Sequence, residues 1–314
     1  MSYDVDNENM IKAFSDFLAD SGRKIPNIVV LNSDFSKDMG VGIFAKNFSD
    51  RFFHFGLGVN NMVSASAGFA VSKKLAFVSS FSSYLTSKCY DQIKNDICFQ
   101  NLNIKLIGHF YGFSSAEIDN VAYQSFDDIA LMSVLPNMKI LCPADYYEAY
   151  AMLNFMSRDF GPTYLRLAGG KSDVVFDEKY NFEFGKAIKL REGKDLCIFA
   201  TGDMVYPALK VADKFLAEGI AVGVVNVGYL KPIDEEGILK HSVESQMCVS
   251  LEDHGVIGGL GSAIAQIFQK NGINKKLQII GMEDKFPESA RRKDLLKKYG
   301  LDEDGVYAKI KGMM

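Results

Sequence analysis

The chain has 314 residues, of which 48% are hydrophobic and 24% charged, and its net charge is −4. This is the composition of a folded globular protein that is long enough for two domains of ordinary size. The Lys and Arg residues form no basic run, which argues against a nucleic-acid surface. No apolar stretch reaches the roughly 18–20 residues that a membrane span needs, so we expect no membrane segment.

The N-terminal residues 1–6 are acidic and lack the basic and apolar regions of a signal peptide. We therefore expect a cytoplasmic protein. The five cysteines are scattered through apolar stretches, which is typical of reduced, buried thiols. The four histidines are isolated, with none at the spacing of metal ligands, and we expect no zinc site.

The first half of the chain alternates short apolar runs rich in Val and Ile with longer amphipathic segments. This alternation predicts a parallel sheet with helices on both faces. The predicted strands are residues 27–31, 76–80, 104–108, 139–142 and 163–167. The predicted helices are residues 10–21, 62–73, 89–99, 125–133 and 146–157.

A second α/β series begins after a polar stretch at residues 171–184, which is the best linker candidate. We therefore predict two α/β domains, residues 1–172 and residues 185–314. The predicted strands of the second domain are residues 196–200, 221–227, 247–251 and 277–281. Its predicted helices are residues 206–218, 235–241, 261–271 and 289–299.

Several motifs spread over both halves point to one family. They are RFFHFGLGVNNM at 51–62, FVSSFSSY at 77–84, YDQIKN at 90–95, NLNIK at 101–105, EDHGVIGGLGS at 252–262 and DKFPES at 284–289. Together they resemble the transketolase family over nearly the whole chain. The resemblance implies a mostly parallel-sheet domain that binds the pyrimidine of thiamine diphosphate (ThDP), followed by the smaller transketolase C-terminal α/β domain.

The family's diphosphate-binding domain, with its G-D-G…N magnesium motif, has no counterpart in the sequence. The chain therefore resembles the C-terminal section of a split transketolase, a ThDP-dependent transferase that makes and breaks C–C bonds. The resemblance implies a partner subunit that carries the diphosphate-binding domain and binds Mg²⁺. A symmetric α₂β₂ heterotetramer is the assembly to expect.

The segment at 51–62 departs from the family at one catalytic position. In transketolases a Glu at the position of Val59 protonates N1′ of the aminopyrimidine, and the chain has no Glu between Glu8 and Glu117. Val59 also has a plain structural interpretation, because an apolar side chain packs well at a helix start. The resemblance implies that Leu57, Val59, Phe81 and Tyr84 contact the cofactor. Phe81 and Tyr84 could equally be core aromatics, and the surrounding motif favours the cofactor slot.

The family's second catalytic element, H-A-G-x-x-x-G-E-D-G-x-x-H-Q, resembles residues 109–124, where one extra residue fits most simply at Ile118. Tyr123 stands where the family has a catalytic His, and a phenol with a reference pKa of about 10 is a poor proton shuttle at neutral pH. Asp119 keeps the acidic position that contacts substrate hydroxyls, although a solvated loop carboxylate is nearly as good an interpretation. The position of the first His is Phe110, for which the adjacent His109 could substitute.

The family's phosphate-binding positions are also changed. They match Ile11, Asp38, Phe110 and Gly169, whereas Arg166 matches the first Arg of R-L-x-R, which does not bind phosphate. Apolar groups and a carboxylate disfavour a dianion, so ordinary ketose phosphates are not the expected donors. The glycines at 258–261 indicate a tight strand-to-helix turn rather than a phosphate site.

Two functions from different classes follow. The first is an atypical, heteromeric ThDP-dependent transferase. The second is a catalytically degenerate subunit with a role in assembly or regulation, which the changes at Val59 and Tyr123 favour and the intact cofactor-slot motif opposes. A 2-oxoacid dehydrogenase E1β-like chain or a deoxyxylulose phosphate synthase fragment is less consistent with the N-N-M and N-L-N-I-K signatures.

Overall fold

The computed structural model describes residues 9–33, 39–118 and 123–314. The strands are β1 (Ile28–Asn32), β2 (Phe52–His54), β3 (Leu75–Phe81), β4 (Ile104–His109), β5 (Lys139–Leu141), β6 (Thr163–Leu167), β7 (Ile188–Arg191), β8 (Leu196–Ala200), β9 (Val222–Asn226), β10 (Tyr229–Lys231), β11 (Met247–Gly255) and β12 (Leu277–Met282). They form a sheet of seven strands in the order β10-β5-β6-β4-β3-β1-β2 and a sheet of five in the order β12-β11-β8-β9-β7.

Helices cover these sheets, as the alternating pattern predicts. They are α1 (Met10–Lys24), α2 (Gly42–Asn47), α3 (Val59–Val71), α4 (Tyr90–Gln92), α5 (Asp128–Ser133), α6 (Tyr146–Arg158), α7 (Val205–Leu216), α8 (Glu235–Val243), α9 (Leu260–Lys270), α10 (Arg292–Tyr299) and α11 (Glu303–Lys311). Two π-helical segments, Tyr84–Lys88 and Ile93–Cys98, flank α4. None of the helices that the structure describes is long and apolar enough to cross a membrane.

The predicted fold class is confirmed: both sheets are mostly parallel, and each carries one antiparallel edge strand. In the second sheet β7 runs antiparallel to β9. In the first sheet β10 runs antiparallel to β5, with Tyr229 opposite Leu141. One strand from the second half of the chain is therefore hydrogen-bonded to the sheet of the first half. The predicted domains, residues 1–172 and 185–314, do not include this pairing.

The strand order of the first sheet has a switch point between β1 and β3. The chain passes from β1 to β2 on one side and then returns to β3 on the other side of β1. From β3 it continues outward to β4 and then to β5, and β6 returns to pair between β4 and β5. Because ligands of open α/β sheets bind at the carboxyl ends of the strands that flank such a switch point, this edge is the first place to look for a site.

A buried polar network joins the two halves of the chain. Arg166 donates to both oxygens of Asp128, at 2.7 and 2.9 Å, and to the main-chain oxygen of Asp253 at 3.2 Å. The Asp253 carboxylate accepts from the main-chain N–H of Phe113 at 3.1 and 3.2 Å. Every charged group in this network has a partner, as burial requires, so the network supports one relative position of the two sheets.

Candidate functional site

Helix α3 begins at Val59, directly after a tight turn. Gly56 in that turn has φ +55, a left-handed conformation that glycine adopts without strain. The turn leaves Leu57 76% exposed, whereas the side chain of Val59 is 2% exposed and packs in the core of the first domain. The two predicted cofactor residues on this segment therefore offer very different amounts of surface.

The start of α3 is tied to the segment that follows β3. Asn60 Nδ2 donates to the main-chain oxygen of Lys88 at 2.6 Å and to Gln92 Oε1 at 3.0 Å. Lys88 ends the π-helical segment Tyr84–Lys88. Single π-helical turns are rare and occur often at functional sites, so this contact brings the Val59 turn beside the segment that begins at Tyr84.

Three of the predicted site residues meet at the carboxyl end of β3. The rings of Phe81 and Tyr123 stack with centroids 4.4 Å apart and an interplanar angle of 14°. The ring of Tyr84 lies edge-on to Phe81 at 5.6 Å, and its hydroxyl donates to the Tyr123 hydroxyl at 3.3 Å. Phe81 is buried, whereas Tyr84 and Tyr123 are half-buried and form the accessible side of this aromatic group.

A small apolar cluster lies beneath these rings. Its buried members are Met39, Phe81 and Phe110, and the partly buried side chain of Ile11 packs against it. The Phe110 ring also contacts Gly169, where an added Cβ atom would lie 2.2 Å from Phe110 Cδ1. Three of the four positions that match the family's phosphate contacts, Ile11, Phe110 and Gly169, are thus together. The fourth, Asp38, lies outside the described residues, as does Asp119.

His109 is the last residue of β4 and its ring has no exposed surface. Its Nε2 atom lies 2.9 Å from Ser79 Oγ and its ring packs 5.7 Å from that of Phe14. Burial lowers the pKa of His109 to about 3, so the imidazole is neutral. A neutral, enclosed ring offers no charge to a phosphate, and a role for His109 toward substrate stays a prediction.

The glycine-rich turn at 258–261 leads into helix α9, and its amide groups have a partner within the chain. The Glu252 carboxylate accepts from the main-chain N–H groups of Leu260 and Gly261 at 2.6 and 2.9 Å. Burial raises the pKa of Glu252 to about 7, and these two hydrogen bonds oppose that shift. The start of α9 is thus capped by a side chain of this protein, in keeping with the structural interpretation of the turn.

Sequence reasoning did not identify the network around Arg166 and Asp128. The Arg166 guanidinium lies 3.8 Å from the centroid of the Tyr111 ring, and the Tyr111 hydroxyl donates to Asp203 at 3.0 Å. Asp128 is the first residue of α5, and no local pattern in the sequence reveals its partner. All five cysteines are buried free thiols. Among the residues described, no group of three or more His, Cys, Asp or Glu could hold a metal ion.

Comparisons with known proteins agree with this fold. Residues 7–171 match the family "Transketolase, pyrimidine binding domain" and residues 185–306 match "Transketolase, C-terminal domain". The chain is 37% identical over 305 residues to a "Putative transketolase C-terminal section" of Methanocaldococcus jannaschii, covering 96% of this chain and 95% of that protein.

Other relatives carry more specific names. The chain is 32% identical over 288 residues to the "6-deoxy-6-sulfo-D-fructose transketolase subunit SqwH" of Clostridium sp. (strain MSTE9), covering 92% of this chain and 89% of that protein. A solved structure described as "Split gene transketolase, inactive beta4 tetramer" superposes with a TM-score of 0.88 at 34% identity and covers 98% of both chains. The chain belongs to the transketolase family, as a section that comprises the pyrimidine-binding and C-terminal domains.

Proposed function

We propose that this chain is one subunit of a heteromeric, transketolase-like enzyme that uses ThDP to make and break C–C bonds, with an atypical site. The observation that carries the proposal is the aromatic group of Phe81, Tyr84 and Tyr123 beside the Val59 turn, at the switch-point edge of a transketolase fold. The printed names of relatives, which include transketolase subunits for a sulfofructose and for apulose 4-phosphate, support a role as a subunit.

The chemistry of this edge fits the aminopyrimidine of ThDP. A flat, largely apolar ring needs an apolar and aromatic surface, and Leu57, Val59, Phe81 and Tyr84 supply such groups from two adjoining segments. ThDP, when bound, supplies the carbanion chemistry of the reaction. The contribution of these four residues is to orient the pyrimidine and to exclude water from it.

Val59 removes the proton donor that the family places at N1′. Its side chain is apolar and 2% exposed, so it neither gives nor takes a proton. A buried polar atom without a partner costs about 1–3 kcal/mol. We therefore propose an enzyme in which the protein activates the cofactor only weakly and holds the pyrimidine ring by apolar packing.

Tyr123 and Asp119 are the proposed groups on the substrate side. The Tyr123 hydroxyl accepts from Tyr84 at 3.3 Å, on the accessible side of the aromatic group. Since a phenol holds its proton at neutral pH, we assign Tyr123 a hydrogen-bonding role rather than proton transfer. Asp119 would contact substrate hydroxyls, and His109 would act from beneath the site through Ser79.

The partner would be an N-terminal-section subunit that carries the diphosphate-binding domain. That subunit would bind Mg²⁺ and the diphosphate, and the pyrimidine would bind to this chain. Two copies of each would form an α₂β₂ heterotetramer, which is the symmetric solution for a site shared between subunits. The name of the relative termed a transketolase C-terminal section supports a divided enzyme.

A catalytically degenerate subunit with an assembly or regulatory role is the second candidate. One observation favours it: Val59 is enclosed in the hydrophobic core, where an apolar residue needs no catalytic explanation. The hydroxyls of Tyr84 and Tyr123 favour the enzyme, because packing against Phe81 would need only phenyl rings.

Titration calorimetry tests the first proposal. The isolated chain should bind ThDP weakly, with or without Mg²⁺. After mixing with the partner chain, ThDP binding should become tight and Mg²⁺-dependent. Tight, Mg²⁺-dependent binding to the isolated chain would overturn the divided-site proposal. A complex that binds ThDP but never exchanges the C2 proton of the bound cofactor would favour the degenerate subunit.

A further inference from the structure

The segment that carries Tyr123 has its two ends joined by a hydrogen bond. This Tyr123 segment, residues 110–127, connects β4 to α5, and the structure describes residues 110–118 and 123–127 of it. The N–H of Gly112 donates to the main-chain oxygen of Ser125 at 2.8 Å. Because Tyr123 lies two residues before this junction, whatever fixes the junction also limits where Tyr123 can lie.

Asp253 of β11 holds the first end of the Tyr123 segment. Its two carboxylate oxygens accept from the main-chain N–H of Phe113 at 3.1 and 3.2 Å, and Asp253 is only 1% exposed. Gly112 permits this contact, since an added Cβ atom there would lie 2.4 Å from Asp253 Cγ and Oδ1. A buried N–H that loses its acceptor costs free energy, so Asp253 fixes the backbone at this end.

The second end of the Tyr123 segment is held by the same strand. The N–H of Gly255, in β11, donates to the main-chain oxygen of Phe126 at 2.8 Å. Gln124, the residue after Tyr123, donates through Nε2 to the main-chain oxygen of Glu288 at 3.4 Å. One strand of the C-terminal domain therefore contacts both ends of a segment that belongs to the pyrimidine-binding domain.

Ring contacts add to this support. The Phe113 ring stacks on Tyr299 of α10 with centroids 5.4 Å apart, and it lies edge-on to Phe126 at 4.7 Å. The ring of Tyr123 instead packs on the first sheet, where it stacks on Phe81. The position of Tyr123 thus depends on two supports, which are β3 through ring stacking and β11 through the backbone of the Tyr123 segment.

We infer that Asp253 is a positioning residue, which acts through the N–H of Phe113 to fix the segment from which Tyr123 faces the substrate. The C-terminal domain therefore takes part in turnover and not in assembly alone. This inference rests on the proposed function and goes beyond it, because it gives a role in the reaction to a residue of the other domain. A displacement of about 1 Å at a group that contacts substrate can lower turnover by about 100-fold, so the effect is measurable.

Fluorine NMR on the full chain follows Tyr123 directly. The protein is labelled with 3-fluorotyrosine, and Tyr123→Phe identifies the Tyr123 resonance by its loss. Asp253→Ala removes the acceptor of the Phe113 N–H and should shift or broaden this resonance. Asp253→Asn keeps an oxygen that can accept from Phe113, and it should leave the resonance close to its wild-type position.

Gly112→Ala tests the same contact without removing the carboxylate. Its new methyl group would overlap Asp253, so it should change the Tyr123 resonance as Asp253→Ala does. Gly272→Ala is the matched control. Both glycines have positive φ, +50 and +65, but among the described residues no atom lies within 4 Å of a Cβ atom added at Gly272. This control should leave the resonance unchanged.

The folding of these variants is checked by circular dichroism. If Asp253→Ala and Gly112→Ala are unfolded, Asp253→Ser takes their place, since its shorter side chain draws back from Phe113 but stays polar. A Tyr123 resonance that is unchanged in the folded variants would overturn the inference.

The complex with the partner chain, loaded with ThDP and Mg²⁺, shows whether this placement matters for turnover of hydroxypyruvate, the probe donor. Asp253→Ala should lower kcat/KM by about 10- to 100-fold. It should leave the dissociation constant of ThDP nearly unchanged, because the proposed cofactor residues lie on other segments. In the Tyr123→Phe background the same substitution should cost less than about threefold, because the hydroxyl through which it acts is absent. Equal fold losses in the two backgrounds would mean general damage and would overturn the inference.

Failure of the proposed function is read separately, as an absence of Mg²⁺-dependent ThDP binding by the wild-type complex, and the inference then falls with it. If the complex binds ThDP but does not turn over hydroxypyruvate, the fluorine spectra decide. A Tyr123 resonance that changes in Asp253→Ala and Gly112→Ala but not in Gly272→Ala supports the inference. The same spectrum in all three variants overturns it.

Discussion

Arg166 and Asp128 form a two-point ion pair that is fully enclosed in the protein. The guanidinium donates through Nε and Nη2 to the two carboxylate oxygens at 2.7 and 2.9 Å, and neither side chain is more than 1% exposed. Because Nη2 also donates to the main chain of Asp253, the pair connects strand β6 to strand β11 of the other sheet. Its loss should therefore affect both halves of the chain.

We expect Arg166→Met to lower the free energy of unfolding by about 3–5 kcal/mol, because it leaves the Asp128 carboxylate buried without its cation. Urea unfolding followed by circular dichroism measures the change. Lys270→Met is the matched control, since Lys270 and Glu235 form a pair 2.8 Å apart that is exposed. That control should cost less than about 1 kcal/mol. Similar losses of unfolding free energy in the two variants would show that the buried pair stabilises the fold no more than an exposed pair does.

The buried ring of His109 should make part of the stability depend on pH. Its pKa is about 3 in the folded protein, against an ordinary value of 6.5, because burial disfavours the charged ring. Between these values the unfolded chain binds a proton that the folded chain does not. The contribution of His109 is therefore fully present above pH 6.5 and falls by about 1.4 kcal/mol per pH unit below it.

Replacing His109 with Gln should remove this dependence. The unfolding free energy of the wild type minus that of His109→Gln should shrink by roughly 2 kcal/mol between pH 6.5 and pH 5. Glu148 and Glu252, whose pKa values burial raises to about 7, act in the opposite direction, and they cancel in this difference. Ser79→Ala keeps the titrating ring, so its difference from the wild type should stay constant with pH. A constant difference for His109→Gln as well would contradict a neutral His109.

Val59→Glu should have opposite effects on the chain and on the complex. In the isolated chain it places a carboxyl group at a position that is 2% exposed, which should cost about 1–3 kcal/mol of stability. In the complex it should speed deuterium exchange at C2 of bound ThDP, measured by NMR, because an acid again faces N1′. Val59→Gln has the same size without the acid and should not speed exchange. Fast exchange in the wild type, unchanged in Val59→Glu, would mean that Val59 is not at N1′.

Xylulose 5-phosphate and fructose 6-phosphate should be poor donors for the complex, because Ile11, Phe110 and Gly169 offer a phosphate no cation. A coupled transketolase assay measures their turnover. The double substitution Phe110→Ala and Gly169→Arg removes the ring that fills the space and adds a guanidinium. It should raise kcat/KM for either donor by about tenfold or more, the scale of one charge-assisted contact. Efficient use of both donors by the wild type would refute the assignment of these positions.

Much of the fold follows from short patterns. The bounds of β6 and β8 agree with prediction, because a short run of mostly apolar or β-branched residues leaves little choice for a buried strand. The strands β2, β7 and β10 were not predicted. A run of three or four residues is too short to show a hydrophobic period. The strand with which it pairs depends on the sheet edge that it reaches. Helix α2, with six residues, was missed for a similar reason, and the nine-residue helix α11 was also not predicted.

The motifs name candidate site residues, whose role stays a prediction, and no motif gives their arrangement. The motifs indicated Phe81, Tyr84 and Tyr123 as site residues, yet the stack of Tyr123 on Phe81 depends on how the chain returns to β3 from a distant segment. The left-handed backbone of Phe110 has no sequence signal, since residues that favour it are Gly, Asn and Asp. The filling of the Gly169 space by Phe110 is a contact between neighbouring strands, which no local pattern encodes.

The antiparallel pairing of β10 with β5 has a consequence for cutting the chain. A fragment that ended near residue 172 would lose β10, and the main-chain groups of Lys139–Leu141 that bond to it would face water along an open edge. Open edges recruit strands from other molecules, so such a fragment should self-associate rather than behave as an independent unit. The two halves of this protein are thus joined by backbone hydrogen bonds between β10 and β5. A gene that encoded only the first half would therefore encode an incomplete sheet.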